Sequence, residues 1–202
     1  MSIKITFADV KKSQEIKTYI KQADASLAVM GYTEHSFAHT TKCAEVAGQL
    51  LKDLGYEDRD IELAKIAAYM HDIGNVINRA DHAQSGAVMA FRLLEKMGMP
   101  AEDIATIITA IGNHDEKTAF PVNAVAAALI IADKTDVRRS RVRRKRTIHT
   151  DIHDRVNYAV EKADLKLDTE NKTITLCLTI DTKISAVMEY FEIFIERMLL
   201  CR

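Results

Sequence analysis

The chain has 202 residues, 48% hydrophobic and 28% charged, which excludes a disordered polymer and leaves room for one well-packed domain. Its 28 Lys and Arg nearly cancel 29 Asp and Glu, so no global charge imposes a nucleic-acid or membrane partner. Cys43, Cys177 and Cys201 are far apart with no CxxC pair, and no segment reads as a signal peptide or membrane span. A soluble cytoplasmic protein with reduced thiols is expected.

Two prolines and seven glycines among abundant Ala, Ile, Leu, Lys and Glu favour helices. Val10, Ile16, Ile20, Ala23 and Leu27 fall on one face of a helix predicted from about Ala8 to Met30 and stopped by Gly31. A second helix is expected from about Ser36 to Leu54, with Gly55 as its end signal. Asp58 or Asp60 is a candidate cap for a third, which runs through IELAKIAAYM to His71–Asp72. Asp81, with Gln84 three residues on, resembles a capping box opening a helix that continues through SGAVMAFRLLEKM to Gly98. Pro100 opens the next, which ends at Gly112; the loop NHDEKTAFP then leads to a very apolar helix, VNAVAAALIIADKTDV.

After residue 150 the pattern changes. DIHDRVNYAVEKA reads as a short helix, and DLKLD and TITLCLTID alternate around the turn TENK as a β-hairpin. KISAVMEYFEIFIERMLL is a final amphipathic helix, apolar nearly all round, which must pack on the core, on the hairpin or on a second subunit of a homodimer. The expected organisation is a helical domain over residues 1–150 and a helix–hairpin–helix appendage over 151–202.

The stretch AYMHDIGN, residues 68–75, ends an apolar run on His71 and Asp72. His39, His82, His114 and Asp133 also sit at helix ends or on apolar faces, where an unpaired polar group is costly to bury. Asp133 interrupts AAALIIAD, and a buried carboxylate needs a cation or several donors. Each has an ordinary reading: His39 a hydrogen-bonded core residue, Asp81 and His82 a cap and first turn, Asp133 the partner of a nearby Lys or Arg. Asn113, Asp115 and Glu116 read equally well as loop polars. Four histidines and two aspartates at successive helix ends read jointly as one shared centre.

The order His39, His71–Asp72, Asp133 resembles the H…HD…D signature of HD-domain metal-dependent phosphohydrolases. HTTKCAEVAGQLL, LAKIAAYMHDIGN and ALIIADKTD resemble the helices that carry it, so the likeness spans about residues 30–140. A lone HD dipeptide carries nothing, as His114–Asp115 and His153–Asp154 show; the ordered set does. His82 and His114 make the order similar to the family's binuclear branch. The resemblance implies an all-α, HD-domain/phosphodiesterase-like helical bundle, here with a small C-terminal hairpin and helix. It implies His39, His71, Asp72 and Asp133 as ligands of one metal, with Asp72 bridging to a second held by His82 and His114. It further implies that metal-activated hydroxide cleaves a phosphate ester or anhydride, with Asp72 and His71 central to catalysis and a nucleotide or related small phosphorylated metabolite as substrate. Imidazole and carboxylate donors without thiolate suit two divalent ions drawn from Fe, Mn, Zn, Co or Ni.

Asn75 stands where several members of the family carry Lys, and Arg79 is a candidate to replace that charge at the substrate phosphate. No GYP string follows His114, which disfavours a cyclic-dinucleotide substrate. His35, one helical turn before His39, is a first-turn residue or a contact to the centre or the phosphate. RRSRVRRKR, residues 138–146, places seven basic groups in nine positions. Arg138, Arg139 and Arg141 at its start are candidate phosphate ligands, and the rest reads as a solvated run. The competing reading is a regulatory or nucleic-acid-binding protein with a structural or degenerate centre, in which the basic run does the binding. The absence of interleaved aromatic residues disfavours it.

Overall fold

A computed structural model describes residues 4–143 and 148–202. In chain order its elements are α1 (Phe7–Lys12), α2 (Gln14–Val29), α3 (Phe37–Asp53), α4 (Asp58–Met70), α5 (His82–Lys96), α6 (Ala101–Gly112), α7 (Ala124–Lys134), α8 (Ile152–Ala159), β1 (Val160–Asp168), β2 (Thr173–Ile180) and α9 (Val187–Cys201). Short 3-10 turns occupy Ile73–Val76 and Arg139–Arg141. Among the described residues the fold is all-α apart from one antiparallel hairpin, β1 with β2, as the sequence led us to expect.

Several boundaries differ from the sequence reading, each for a local reason. The first predicted helix is two, because Ser13 leaves the helical conformation and its hydroxyl caps α2 by accepting from Ile16 N. Glu57, not Asp58 or Asp60, is the residue before α4, and those two aspartates sit in its first turn near the positive end of the dipole. Asp81 does precede α5, but in the left-handed region at φ 55° and without a side-chain cap bond. Pro100 precedes α6 instead of opening it, and α7 stops at Lys134. Residues 160–163 belong to β1, not to α8.

α4 buries Ile61, Leu63, Ala64, Ile66, Ala67, Ala68, Tyr69 and Met70, more positions than one stripe can hold, so it must be surrounded. α3, α6 and α7 pack on it and α1 closes a further side. α5 packs against α6 and against the turn Ile73–Val76. A second small cluster, Val137, Val156, Val160, Tyr190 and Phe194, joins the end of the helical body to α8, β1 and α9. On α9 only Tyr190 and Phe194 are buried; Val187, Met188, Ile195 and Leu199 stay exposed.

The end of α4 is held by a close backbone approach. A Cβ on Gly74 would lie 2.1 Å from His82 O and 2.5 Å from Gly86 N, so the turn after His71–Asp72 meets the start of α5 backbone to backbone. Gly74→Ala should therefore lower stability by about 2 kcal/mol or more through overpacking. Urea unfolding checks this: a midpoint equal to that of the parent would mean the turn and α5 can separate freely.

Candidate metal centre

Five imidazoles are each anchored through Nδ1, three of them by one device. The Nδ1 of His71 lies 2.7 Å from Ala68 O, that of His82 3.1 Å from Arg79 O, and that of His114 2.6 Å from Ile111 O. In each case the acceptor is the carbonyl three residues back. His35 Nδ1 lies 2.7 Å from Thr33 O, and His39 Nδ1 lies 2.7 Å from the buried carboxylate of Asp136. A carbonyl oxygen only accepts, so the proton of each neutral carbonyl-bound ring is on Nδ1 and Nε2 carries a lone pair.

Those Nε2 atoms converge on two aspartates. Asp72 Oδ2 lies 3.1 Å from His71 Nε2, 3.7 Å from His39 Nε2 and 4.0 Å from His35 Nε2. Its other oxygen, Oδ1, lies 3.4 Å from His82 Nε2 and 4.0 Å from His114 Nε2. Asp133 Oδ1 is 3.4 Å from His39 Nε2 and 3.7 Å from His71 Nε2. The two oxygens of Asp72 thus face different histidine sets. His39, His71 and Asp72 form one compact donor group, His71, His114 and Asp133 another, and Asp72, His82 and His114 a third.

Two details make this arrangement unsuited to a purely protein-satisfied cluster. The buried His71 Nε2 has no hydrogen-bond partner, and His82 Nε2, which accepts from Arg79 Nη1 at 3.3 Å, also meets His114 Nε2 at 3.2 Å, where neither neutral ring has a proton to give. A cation between such donors removes both problems, and nitrogen and carboxylate oxygen are the donors that divalent first-row metals take. Cys43 packs behind His39 within reach of Ala132 O, and burial pushes its thiol well up, so it stays a protonated core residue.

Electrostatics follow the geometry. Burial opposes ionisation of Asp72, but His71, His35 and His82 outweigh it and hold the carboxyl well below the usual range. Asp133 is held low likewise, against burial, by Lys134, whose Nζ lies 2.6 Å from Oδ2, and by His39 and His71. Burial pushes His114 well down and His82 down, so both rings favour the neutral, ligand-competent form.

Behind these groups stands a layer that sequence reasoning missed. Asp136 orients His39 and is itself gripped by Arg138, with Nε 2.6 Å from Oδ1 and Nη2 3.0 Å from Oδ2. Asn75 donates to both Asp72 O and Asp72 Oδ1, at 2.9 and 2.8 Å, so it anchors the aspartate backbone and side chain together. The DxxN spacing, Asp72 to Asn75, was the available signal, masked by reading Asn75 only as a missing Lys. Lys134 also approaches Glu116, to which Arg197 of α9 is paired.

The candidate phosphate contacts divide. His35, Arg79 and Arg141 line a cavity of about 380 Å³ that also exposes Asp72, His82, His114 and Asp133. Arg79 stacks on Tyr32 and donates toward Asn75 Oδ1 at 3.3 Å. Arg138 and Arg139 are not on that wall: Arg138 is bound to Asp136, and Arg139 donates to Tyr158 O and covers the Tyr158 ring. The start of the basic run is a strap, not a solvated face. Arg141 donates to Glu34 O and Asp136 O, and Arg143 donates to Tyr32 O and pairs with Asp24, which also holds the His35 backbone N–H. Arg144, Lys145 and Arg146 lie outside the described residues.

An uncharacterized protein of Methanocaldococcus jannaschii is 24% identical over 188 residues, covering 81% of this chain and 71% of that one. Ribonuclease Y of Thermobifida fusca is 34% identical over 115 residues, 54% of this chain but 21% of the relative, and Ribonuclease Y of Deinococcus radiodurans is 32% identical over 115 residues. The chain therefore spans about a fifth of the length of the Ribonuclease Y relatives it matches. The crystal structure of a predicted HD superfamily hydrolase from an uncultured Thermotogales bacterium has a TM-score of 0.49 and 28% identity, over 61% of this chain and 67% of that one. The HD domain family matches residues 36–138, just over half the sequence and the span that holds His39, His71, Asp72, His82, His114 and Asp133. On that match the chain belongs to the HD domain family.

Proposed function

We propose that this protein is a metal-dependent phosphohydrolase that cleaves a phosphate ester or anhydride of a small phosphorylated metabolite, nucleotides being the leading class. The observation that carries the proposal is the convergence of Nδ1-anchored imidazoles on the two oxygens of Asp72, with His71 Nε2 left unpartnered and His82 facing His114 at 3.2 Å. In this reading His39, His71, Asp72 and Asp133 hold one divalent ion, and Asp72, His82 and His114 hold a second. Such ions supply Lewis-acid polarisation of a phosphoryl group and acidify a water molecule.

The chain's own residues do the rest. Arg79, Arg141 and His35, all on the cavity wall, are placed to take the remaining phosphoryl oxygens and to keep the phosphorus over the centre. Arg141 is pre-set for this, because its bonds to Glu34 O and Asp136 O fix the guanidinium before any substrate arrives. Arg79 supplies the charge that Asn75 does not, while Asn75 keeps Asp72 oriented. Asp136 holds the His39 ring so that Nε2 faces the centre, the carboxylate–histidine–metal relation. The engagement of Arg138, Arg139, Arg141 and Arg143 with the chain's own carbonyls and carboxylates counts against a nucleic-acid surface there.

Metal analysis of purified protein, followed by a phosphate-release screen with added Mn²⁺, Co²⁺ and Ni²⁺, tests the reading; protein that binds no ion and releases no phosphate with any of them defeats it. Two variants sharpen it. Asp72→Ala should lose at least about 100-fold in rate, about 2.7 kcal/mol of barrier, and lose bound metal, with an unchanged circular dichroism spectrum. Asp136→Asn, which keeps shape but removes the charge behind His39, should weaken metal affinity about 10–100-fold by chelator competition. Parental affinity in that variant would show that Asp136 is only a core ion-pair partner.

A further inference from the structure

The cavity over the centre is chemically asymmetric. Its basic side chains Arg79, Lys134 and Arg141 belong to the helical body that carries the proposed ligands, and Arg197 on its wall has its charge paired with Glu116. The remainder is built by the first turns of α8, through Asp151, His153, Asp154 and Asn157, with Phe194 of α9. Asp151 uses Oδ1 to cap α8, accepting from His153 N at 2.8 Å and Asp154 N at 3.2 Å. Its side chain is half exposed, and its Oδ2 accepts no hydrogen bond from a described residue. Asn157 donates its amide N–H to His153 O at 2.8 Å, which leaves its side-chain carbonyl as an acceptor.

Asp151 and the Asn157 carbonyl make this part of the wall rich in acceptors, and the Asp151 carboxylate gives it negative charge. It suits hydroxyl or amino hydrogens and opposes a phosphate. We infer that the substrate is a phosphomonoester whose leaving group is polar, uncharged and rich in hydroxyl or amino donors, and that Asp151 determines this specificity by facing the leaving group. The inference rests on the hydrolase reading and narrows it. A single phosphate sits with Arg79 and Arg141 at the centre, and a second one, whether of a diphosphate or of the next nucleotide in a strand, meets Asp151. The volume of about 380 Å³ is that of a pocket for a small molecule.

The test uses the metal-loaded full chain and compares kcat/KM for adenosine 5′-monophosphate and ribose 5-phosphate with that for adenosine diphosphate and for cleavage of a ten-nucleotide RNA. p-Nitrophenyl phosphate serves as a probe of the centre alone. The better monoester should exceed the diphosphate and the RNA by about tenfold or more. Asp151→Asn keeps the cap but removes the charge, and should shrink the monoester-to-diphosphate ratio by about tenfold, with the monoester's KM rising more than its kcat falls. Diphosphate or RNA turned over as well as the monoesters, or an unchanged ratio in the variant, overturns the inference. Cleavage of p-nitrophenyl phosphate without cleavage of either natural monoester overturns it too while sparing the hydrolase reading. Inertness toward every probe with every ion overturns both.

Discussion

The chemistry of this molecule rests on where the protons of a few imidazole rings go. A histidine that donates Nδ1–H to a carbonyl has one tautomer when neutral, and its other nitrogen becomes a fixed lone pair. His71, His82 and His114 each donate to the carbonyl three residues back, so the ring direction is set by local backbone at a chain reversal. A helix end leaves carbonyls without partners, and an imidazole there satisfies one while aiming Nε2 away from the helix. His39 lies inside α3 and cannot use that device; it needs Asp136, a residue 97 positions away.

The fold can be understood as what brings those ends together. α4 is apolar on most sides because α3, α6 and α7 must pack around it, and its C-terminus then delivers His71 and Asp72 to the point where α3 and α7 pass. Gly74 lets the turn touch α5, which brings His82 to the other oxygen of Asp72. Arg141 and Arg143 tie the segment from Tyr32 to His35 against the end of α7, so His35 and Arg141 belong to one rigid frame.

What was legible in the sequence was whatever has a short-range signature. The apolar run ending in His71–Asp72, the lone carboxylate in AAALIIAD and the period-two hairpin are local patterns, and the six residues so singled out do converge. The break at Ser13 was hidden because apolar spacing continues across it; only the hydroxyl's bond to Ile16 N reveals a new helix. The role of Asp136 was hidden because ADKTD offers two carboxylates three apart, and which one faces the ligand cluster depends on how α7 meets α3. The basic run misled for a related reason. Charge density suggests solvent or anions, whereas Arg141 and Arg143 bond backbone oxygens more than a hundred residues earlier, which no local pattern encodes.

The distribution of charge explains why so polar a cluster is tolerable inside a helical core. Asp72, Asp133 and Asp136 are three carboxylates within reach of His39. Protein groups meet their outer side: Lys134 at Asp133 Oδ2 and Arg138 across both oxygens of Asp136, while Asp72 Oδ1 accepts from Asn75 Nδ2 and has Arg79 at 3.9 Å. Asp72 Oδ2 and Asp133 Oδ1 instead face imidazole Nε2 atoms, which the neutral rings leave without a proton. A buried carboxylate left so is expensive, and apolar replacements would pack at lower cost. An arrangement that meets the outer carboxylate oxygens with lysine and arginine and gathers imidazole nitrogens round the inner ones is organised for positive charge supplied from outside the chain.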